Sequence, residues 1–323
     1  MTNLSIIGAG AWGSALSIAL SDNFDTIYLH THTQEEVASL QPQHPALSVN
    51  YTDNVELTFD LSKIQHADGV LIAVPSIGFS ATLKAIKPFL TDQPIAWVTK
   101  GFDTNADCFL HQSFESILCA YSPCVISGPS FALEVANCKP TALVVASKDK
   151  KMQDYWAQAF NANALRAYTN DDVIGVEVGG SVKNILAIAS GIASGLGYGA
   201  NTQAALITRG LAEMIRLGVA LGAQPATFNG LSGLGDLVLT CSDDLSRNRR
   251  FGKQLANNQS AEQALKNVGA TVEGANTLAL VLSIAQKNNI EMPICEQVAQ
   301  VINGKSTPTE AVNYLMSRVQ IQE

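Results

Sequence analysis

One lysine in the second half of the chain lies where proton-transfer chemistry would need it. Lys183 and Asn184 follow the glycine pair 179–180 at the start of an otherwise apolar helical stretch rich in alanine and isoleucine. A lysine held at such a place could donate a proton to a reacting oxygen. The alternative is a surface lysine whose apolar stem lies along the protein while its ammonium reaches water.

A carboxylate and a group of arginines follow in the same half of the chain. Asp236 lies inside the glycine-rich apolar segment 231–240, and the segment 246–250, Ser-Arg-Asn-Arg-Arg, holds three of the chain's seven arginines. Guanidinium groups match the oxygens of phosphates and carboxylates, so this segment could hold an anionic substrate. The alternative is a solvated helix start whose arginines pair with the acidic residues 243–244.

Three glycines near the N-terminus have the spacing of a dinucleotide-binding turn. Gly8, Gly10 and Gly13 form a G-x-G-x-x-G pattern between a predicted strand over 4–7 and a predicted helix over 14–21. The first glycine permits a tight turn, the second lets backbone N–H groups approach a pyrophosphate, and the third lets the helix pack closely on the strand. The helix N-terminus would direct its N–H groups and its dipole at the phosphates. This context favours dinucleotide binding over an incidental glycine turn.

The elements that position these residues divide the chain in two. Over residues 4–169, short β-branched runs alternate with helical stretches, which predicts parallel strands in a doubly wound α/β sheet of the Rossmann type. Beyond Asp171 only helices are predicted, so we expect a Rossmann-type domain over 1–175 and an all-α domain over 176–323. In such sheets ligands lie beyond the carboxyl ends of the strands. The predicted strands cover 4–7, 26–29, 57–59, 69–75, 95–98, 124–127, 141–146 and 165–169. The predicted helices cover 34–40, 77–90, 106–120, a stretch opening at 130, 151–161, 173–196, 202–221, 246–257, 275–288, 295–302 and 309–319.

The second predicted strand is followed by histidines rather than by an acidic residue. His30 and His32 lie at its end, and the first carboxylate beyond them is Glu35. NAD-selective Rossmann folds usually place Asp or Glu there to hold the ribose 2′-hydroxyl. Its absence would remove a repulsion against a 2′-phosphate, to which either histidine could donate, although both could instead lie in a surface loop. We therefore predict that NADP(H) is the preferred cofactor and that NAD(H) is possible.

Two further strand ends carry polar residues. Lys100 comes directly after the strand over 95–98, where a pocket cation and a solvated surface lysine are both open. Gly128 and Ser130 end another strand and open a helix, with Ser130 at the capping position. That helix start is either plainly capped or a second N-terminus that faces an anion.

Composition argues against several classes of protein. The 323 residues carry a net charge of −8, which argues against general nucleic-acid binding, so any anion site must be a local basic pocket. No window reaches the roughly 18 uninterrupted apolar residues of a membrane span, and no basic segment precedes the first apolar run, so we expect neither a span nor a signal peptide. The six cysteines show no C-x-x-C pair and no histidine at metal-ligand spacing. This predicts no metal site, and buried, reduced thiols in a cytoplasmic protein.

As an ordered set, these motifs closely resemble those of the bacterial-type NAD(P)-dependent glycerol-3-phosphate dehydrogenases. No single motif is decisive, but together they span residues 8–274 in the family's order. The matching motifs are Gly8–Gly13, Val98–Gly101, Gly128–Ala132, Gly179–Asn184, Gly233–Asp236, Ser246–Gly252 and Val272–Gly274. The resemblance implies a Rossmann domain and an all-α domain with the site between them, and a homodimer. It also implies reduction of dihydroxyacetone phosphate to sn-glycerol 3-phosphate, which supplies glycerophospholipid synthesis.

The resemblance further implies a role for each matching residue. Lys183 would be the general acid and base, Lys100 a second catalytic cation, and Asp236 would orient the lysine network. The residues implied at the substrate are Lys100, Gly128, Ser130, Lys183, Asp236, Ser246, Arg247 and Asn248. Those implied at the cofactor are Gly8, Gly10, Ala11, Trp12, Gly13, His32, Lys100, Ala132, Arg247, Thr271 and Glu273. Ala11 stands where many members have serine and Thr271 where many have valine, which affects only cofactor details.

Two other functions stay open. A β-hydroxyacid dehydrogenase shares the architecture and a G-G-x-x-K helix start, but its asparagine lies four residues after the lysine, where this chain has Ala187. A non-catalytic NADP-binding sensor would have no reason to place Lys183, Asp236 and the arginines in register. The resemblance therefore implies an oxidoreductase acting on a small phosphorylated ketone.

Overall fold

The computed structural model describes residues 2–162, 164–257, 259–269 and 271–318, and the chain divides into two compact units. Unit 1 is Met1–Glu177 and unit 2 is Val178–Glu323. The division falls inside one long helix, Val173–Gly195. Among the described residues, unit 1 contains every strand, whereas unit 2 is built from helices and loops.

Unit 1 is organised around an eight-stranded sheet with the order β10-β9-β8-β5-β4-β1-β2-β3. The central β1 pairs in parallel with β2 on one side and with β4 on the other. β4 is buried along its whole length, as expected of a strand covered on both faces. The strands are β1 (Asn3–Ile7), β2 (Thr26–His30), β3 (Val55–Thr58), β4 (Gly69–Ile72), β5 (Ile95–Trp97), β6 (Phe102–Asp103), β7 (Cys108–Phe109), β8 (Val125–Ser127), β9 (Thr141–Ala146) and β10 (Leu165–Asn170), of which β6 and β7 form a separate two-stranded ribbon.

The strand directions confirm a Rossmann-type sheet, with one exception. Neighbouring strands of this sheet pair in parallel except β8 and β9, which are antiparallel. A parallel return needs a crossover of a dozen or more residues, usually containing a helix that spans the sheet. The connection between β8 and β9 contains only the five-residue helix α5, Ala132–Ala136. The expectation of parallel pairing throughout is therefore wrong at this pair.

One helix of unit 1 starts later than predicted. The predicted helix over 106–120 begins only at Leu110, because the ribbon of β6 and β7 comes first. The buried Asp103 carboxylate accepts the N–H groups of Asn105 and Ala106, and this local turn competes with a helix. The helices are α1 (Ala11–Ala19), α2 (Gln34–Ser39), α3 (Phe79–Ile86), α4 (Leu110–Ile117), α5 and α6 (Lys150–Ala159), with 3₁₀ turns at Ser21–Asn23, Leu61–His66, Ser76–Gly78 and Lys87–Phe89, the last two replacing the ends of the predicted helix over 77–90.

Unit 2 is all-α over its described residues, as predicted. Three of its shorter helices, α9, α10 and α12, lie where the sequence predicts none, and α10 directly follows a π-helical turn at Leu231–Gly235. The helices are α7 (Val173–Gly195), α8 (Ala200–Ala220), α9 (Pro225–Phe228), α10 (Asp236–Ser242), α11 (Arg247–Ala256), α12 (Ala261–Val268), α13 (Glu273–Lys287), α14 (Pro293–Ile302) and α15 (Pro308–Ser317). Residue 319, the end of the last predicted helix, lies outside the described residues.

The long helix α7 is long and apolar enough to cross a membrane by length and composition, and among the described residues it is the one helix of that kind. Its qualifying 18-residue window is 94% buried inside the protein. Such burial is typical of a core helix, which is apolar all round.

The cysteines differ in part from the prediction. All six are free thiols, and Cys124, Cys241 and Cys295 are buried, whereas Cys119 and Cys138 are exposed. The expectation of buried thiols is therefore wrong for the last two. Burial raises the pKa of Cys241 to about 12, so that thiol stays protonated near neutral pH.

Candidate active site

The turn between β1 and α1 has the backbone geometry that the glycine spacing predicts. Gly8 has a φ of +111°, in the region that favours glycine, and a Cβ on Gly13 would collide with the Gly8 carbonyl oxygen. A Cβ on Gly10 would meet none of the described residues within 4 Å. Gly10 is the exposed N-cap of α1, where no side chain caps the helix, so the first turn directs its N–H groups at an open surface. This turn fits the pyrophosphate of a dinucleotide.

The carboxyl end of β2 differs from the sequence prediction in two respects. His30 is 1% exposed, its Nε2 lies 3.3 Å from Ser5 Oγ, and burial lowers its pKa to about 4. It is a neutral residue inside the sheet and not a donor to a cofactor phosphate, whereas His32 is exposed. Glu36 folds back so that its Oε2 accepts the His32 N–H at 2.7 Å. A carboxylate therefore does lie at this strand end, contrary to the prediction.

The residues that follow β5 and β8 meet at one carbonyl group. Lys100 Nζ and Ser130 Oγ each donate to the Gly128 carbonyl oxygen at 3.1 Å. Gly128 has a φ of +148°, a conformation that other residues rarely adopt. The capping prediction for Ser130 is wrong, because α5 begins at Ala132 and its N-cap is Phe131, with no side-chain cap. Ser130 instead folds back on the turn that holds the lysine.

Lys183 is held in unit 2 by a buried acid and a hydroxyl group. Its Nζ donates to Asp236 Oδ1 at 2.5 Å and to Thr240 Oγ1 at 2.9 Å. Lys183 is 6% exposed and Asp236 is 1% exposed, so the alternative of a lysine extended to solvent is wrong. Thr240 Oγ1 donates its own proton to the Asp236 carbonyl oxygen at 2.6 Å, which leaves its lone pairs for the ammonium. A buried ion pair adds little net stability, so its burial makes Lys183 a candidate functional residue.

Two local features bring Lys183 and Asp236 together. A Cβ on Gly179 would collide with the Ser232 carbonyl oxygen, so α7 can pack closely against the π-helical turn that precedes Asp236. π-Helical turns are rare and frequent at functional sites. Thr240 is absent from the sequence prediction, yet it lies four residues after Asp236 on α10. Residues at this spacing share one helix face, and that spacing is the signal that could have found it.

A second hydrogen-bonded chain joins three helices of unit 2. Asn248 of α11 donates from Nδ2 to Asn184 Oδ1 at 3.0 Å, and its Oδ1 accepts the Gly274 N–H at 2.9 Å. Asn184 is the residue after the buried lysine on α7, and Gly274 follows Glu273 at the start of α13. The predicted substrate residue Asn248 is thus brought to the helix start that carries the predicted cofactor residue Glu273. Thr271 lies exposed just before this helix.

The arginine segment contains paired and unpaired members. Arg249 forms an ion pair with Asp244, and Arg250 Nη1 donates to the Asp244 carbonyl oxygen at 2.8 Å. The salt bridge of the alternative therefore exists for Arg249, although this residue is only 9% exposed, whereas Arg250 bonds a backbone carbonyl group and forms no such salt bridge with any described residue. Ser246 caps α11 by accepting the Arg249 N–H at 3.2 Å. Arg247 is exposed and has no hydrogen bond or ion pair within the described parts of the chain.

The remaining predicted positions lie at helix starts of unit 1. Ala11 and Trp12 are the first two residues of α1, Ala132 is the first residue of α5, and the two helices pack together. All three residues are half-buried. Over the ranges that the structure describes, no group of three or more His, Cys, Asp or Glu residues could hold a metal ion.

Known proteins match both halves of the chain. The family profile for the N-terminus of NAD-dependent glycerol-3-phosphate dehydrogenase matches residues 3–153, and the profile for its C-terminus matches residues 172–313. The protein named glycerol-3-phosphate dehydrogenase (NAD(P)+) of Ruthia magnifica is 66% identical over 322 residues, 99% of each chain. The protein of that name from Legionella pneumophila (strain Corby) is 48% identical over 322 residues, 98% of this chain and 97% of its own.

A solved structure agrees with these matches. The crystal structure of glycerol-3-phosphate dehydrogenase from Coxiella burnetii superposes with a TM-score of 0.93 at 39% identity, over 98% of this chain and 99% of that one. Matches across both halves favour this family over the β-hydroxyacid dehydrogenases. The chain belongs to the NAD-dependent glycerol-3-phosphate dehydrogenase family and is an NAD(P)-dependent oxidoreductase.

Proposed function

We propose that the protein reduces dihydroxyacetone phosphate to sn-glycerol 3-phosphate with NAD(P)H. The observation that carries this proposal is the buried Lys183, held by Asp236 and Thr240 in the all-helical unit. Residues 1–175 are the dinucleotide-binding domain, and residues 176–323 are the substrate-binding and catalytic domain. The family matches support the reaction class.

Lys183 is the general acid in this proposal. A bound dihydronicotinamide would supply the hydride to C2. The protonated Lys183 donates a proton to the C2 oxygen as negative charge develops on it. Asp236 stabilises the ammonium form before transfer, and Thr240 fixes the direction of the Nζ–H bonds. Positioned acid catalysis contributes about 10²–10⁴-fold to a rate. Lys100 is the second catalytic cation, and it stabilises the same developing charge electrostatically.

The substrate phosphate takes the remaining basic and polar groups. Arg247 is the best suited of the three arginines, because Arg249 and Arg250 already bond Asp244. Ser246 and Asn248 flank it, and Asn248 keeps one amide N–H beyond its bond to Asn184. Binding energy gained at the phosphate, away from the reacting carbon, orients the ketone. On the first domain, Lys100, Gly128 and Ser130 complete the proposed substrate set.

The cofactor lies along the glycine turn in this proposal. Gly8, Gly10, Ala11, Trp12 and Gly13 hold the pyrophosphate and its neighbours, supported by the open backbone at Gly10. The further contacts proposed are His32, Lys100, Ala132, Arg247, Thr271 and Glu273. The preference for NADP(H) over NAD(H) stays a prediction, and the buried, neutral His30 no longer supports it.

One assay tests the proposal directly. Adding dihydroxyacetone phosphate to the protein with NADPH, and with NADH in parallel, should cause saturable loss of absorbance from the reduced cofactor. A 3-hydroxyacid with the oxidised cofactors is the control for the related dehydrogenases and should give no turnover. Cofactor binding without turnover on any phosphorylated ketone would instead support the sensor.

We also propose a cytoplasmic homodimer whose product enters glycerophospholipid synthesis. The free thiols are compatible with a reducing compartment. An apolar groove of about 880 Å³ between α7, α8, α14 and α15 supports a dimer, and Met316 on its wall is 81% exposed. Sedimentation should show a dimer that Met316→Glu weakens, and a wild-type monomer at micromolar concentration would contradict this. Cells lacking the protein should need added glycerol 3-phosphate.

A further inference from the structure

The side chain of Glu36 is folded back onto the end of β2. Thr33 is the N-cap of α2, and its side chain accepts the Glu36 N–H at 3.3 Å. In return, Glu36 Oε2 accepts the His32 N–H at 2.7 Å. This reciprocal bonding resembles a capping box, except that Glu36 accepts the N–H of the residue before the N-cap and not that of the N-cap itself. It holds an exposed carboxylate directly after the strand.

The place where this carboxylate is held is the place where Rossmann folds distinguish their cofactors. The strand after the glycine turn ends beside the adenosine ribose, where an acidic residue accepts from the 2′-hydroxyl of NAD. NADP carries a phosphate of charge near −2 on that oxygen. Here β2 pairs directly with β1, the strand that leads into Gly8, so its end is at the same sheet edge as the turn.

Two effects of Glu36 act against a phosphate at this point. Its negative charge repels the phosphate, and it occupies the His32 N–H, which could otherwise donate to a phosphate oxygen. In the described residues no lysine or arginine forms an ion pair with Glu36, and Lys63, which packs on the Tyr28 ring of β2, pairs with Glu56. Within the described residues, no basic side chain therefore offsets this carboxylate by an ion pair at the strand end.

We propose that Glu36 is the residue that sets cofactor selectivity, by disfavouring the 2′-phosphate of NADP(H) so that NAD(H) can compete. This deepens the proposed function, since it concerns the cofactor of that same site. The repulsion between one carboxylate and a doubly charged phosphate across several ångströms of water corresponds to about a tenfold change in a binding constant. As an interaction between exposed charges, it weakens as salt is raised.

The test is the ratio of the dissociation constants for NADPH and NADH, measured by nicotinamide fluorescence with the full chain. Glu36→Gln removes the charge, while its amide oxygen can still accept the His32 N–H, so the strand end keeps its shape. We expect the variant to shift the ratio about tenfold in favour of NADPH. The shift should shrink between 0.05 M and about 0.5 M salt, which a purely structural effect would not do. No substrate is needed, so the result is independent of whether dihydroxyacetone phosphate is reduced.

Glu35→Gln is the matched control, because Glu35 is the neighbouring exposed glutamate and does not bond the His32 N–H. Its ratio should move by less than about twofold. An unchanged ratio in Glu36→Gln would overturn the proposal. An equal shift in both variants would also overturn it, because selectivity would then follow net charge and not the carboxylate at the strand end.

Discussion

The two units present different kinds of groups to their ligands. In unit 1 the proposed cofactor turn is made of backbone, with Gly8 and Gly13 where a side chain would strain or collide. In unit 2 the proposed catalytic group is a buried ion pair whose members, Lys183 and Asp236, are 53 positions apart in the chain. A backbone turn is specified by the residues within it, whereas a buried pair depends on the helices that carry its members. Binding of the cofactor and transfer of the proton should therefore respond to different changes.

The largest effect expected from this comparison follows loss of the buried ammonium. Lys183→Ala removes the proposed proton donor, so kcat should fall about 10³-fold, or about 4 kcal/mol in activation free energy. The glycine turn of unit 1 is untouched, so the dissociation constant for NADPH should change less than about threefold. Steady-state kinetics and fluorescence titration measure the two quantities. A variant with wild-type turnover would remove Lys183 from the mechanism.

A second variant separates catalysis from folding. Lys183→Ala leaves the Asp236 carboxylate buried without its ion-pair partner, which costs about 3–5 kcal/mol of stability. The double variant Lys183→Ala/Asp236→Ala removes both charges, so it should recover part of that stability without recovering kcat. Lys84→Ala, at an exposed position of α3, is the matched control and should leave both kcat and stability unchanged.

The second prediction uses buried titratable groups that respond to pH in opposite directions in the two units. Burial lowers the pKa of His30 in unit 1 to about 4. Between pH 4 and 6.5 the His30 side chain therefore binds a proton more readily in the unfolded chain than in the folded one, so stability rises with pH there. Burial raises the pKa of Glu213 in unit 2 to about 7, so the folded chain binds the proton more readily between pH 4.5 and 7, and stability falls as pH rises. Each effect amounts to about 3 kcal/mol across its window.

Single variants separate these two contributions, which offset each other in the wild-type chain. Relative to wild type, Glu213→Gln should gain stability as pH rises from 4.5 to 7, because it lacks the group that is destabilised on ionising. His30→Gln should instead lose relative stability as pH rises from 4 to 6.5. Urea unfolding at a series of pH values measures both differences. Two differences of the same sign would contradict the assignment.

The third prediction compares two glycines of the same turn. Gly13→Ala places a methyl group against the Gly8 carbonyl oxygen and should cost about 1–3 kcal/mol in the free energy of unfolding. In Gly10→Ala the added methyl group has no described residue within 4 Å. The free energy of unfolding should therefore change by less than about 0.5 kcal/mol, while the affinity for NADPH falls. Equal destabilisation by the two substitutions would mean that Gly10 also has a packing role.

The same contrast explains what the sequence could predict. The glycine turn follows from residues within six positions, and its geometry agrees with the prediction. The partners of Lys183 could not be predicted at that level, because they depend on how α7 packs on α10. At β2 the error has a different origin: Thr33 and Glu36 have a capping spacing that is visible in the sequence, and only the direction of the Glu36 side chain needed the structure. The antiparallel direction of β9, which follows the five-residue helix α5, is another feature that the periodicity of the sequence does not report.

The smallest expected effect concerns the hydroxyl group that completes the lysine site. Thr240→Val keeps the shape of the side chain but removes the acceptor of one Lys183 N–H bond, which lies at 2.9 Å. A hydrogen bond to a charged group contributes about 1.5–3 kcal/mol. The other two N–H bonds of the Lys183 ammonium can partly make up for the lost bond, so kcat should fall about tenfold. The dissociation constant for NADPH should stay unchanged, as for Lys183→Ala. Thr240→Ser retains a hydroxyl and should recover most of the rate.

Thr208→Val is the matched control for this last variant, because Thr208 makes the same hydroxyl bond to the carbonyl four residues earlier, Ala204 O, on the exposed face of α8. Thr240 makes that bond to Asp236 O and in addition accepts from the lysine. If Thr208→Val lowers kcat as much as Thr240→Val, the loss reflects helix stability and not the orientation of the ammonium. If only Thr240→Val acts, the hydroxyl directs the proton. The contrast with the glycine turn of unit 1 then extends to a single oxygen atom, because the lysine site of unit 2 needs a particular side-chain atom, whereas the turn needs only backbone.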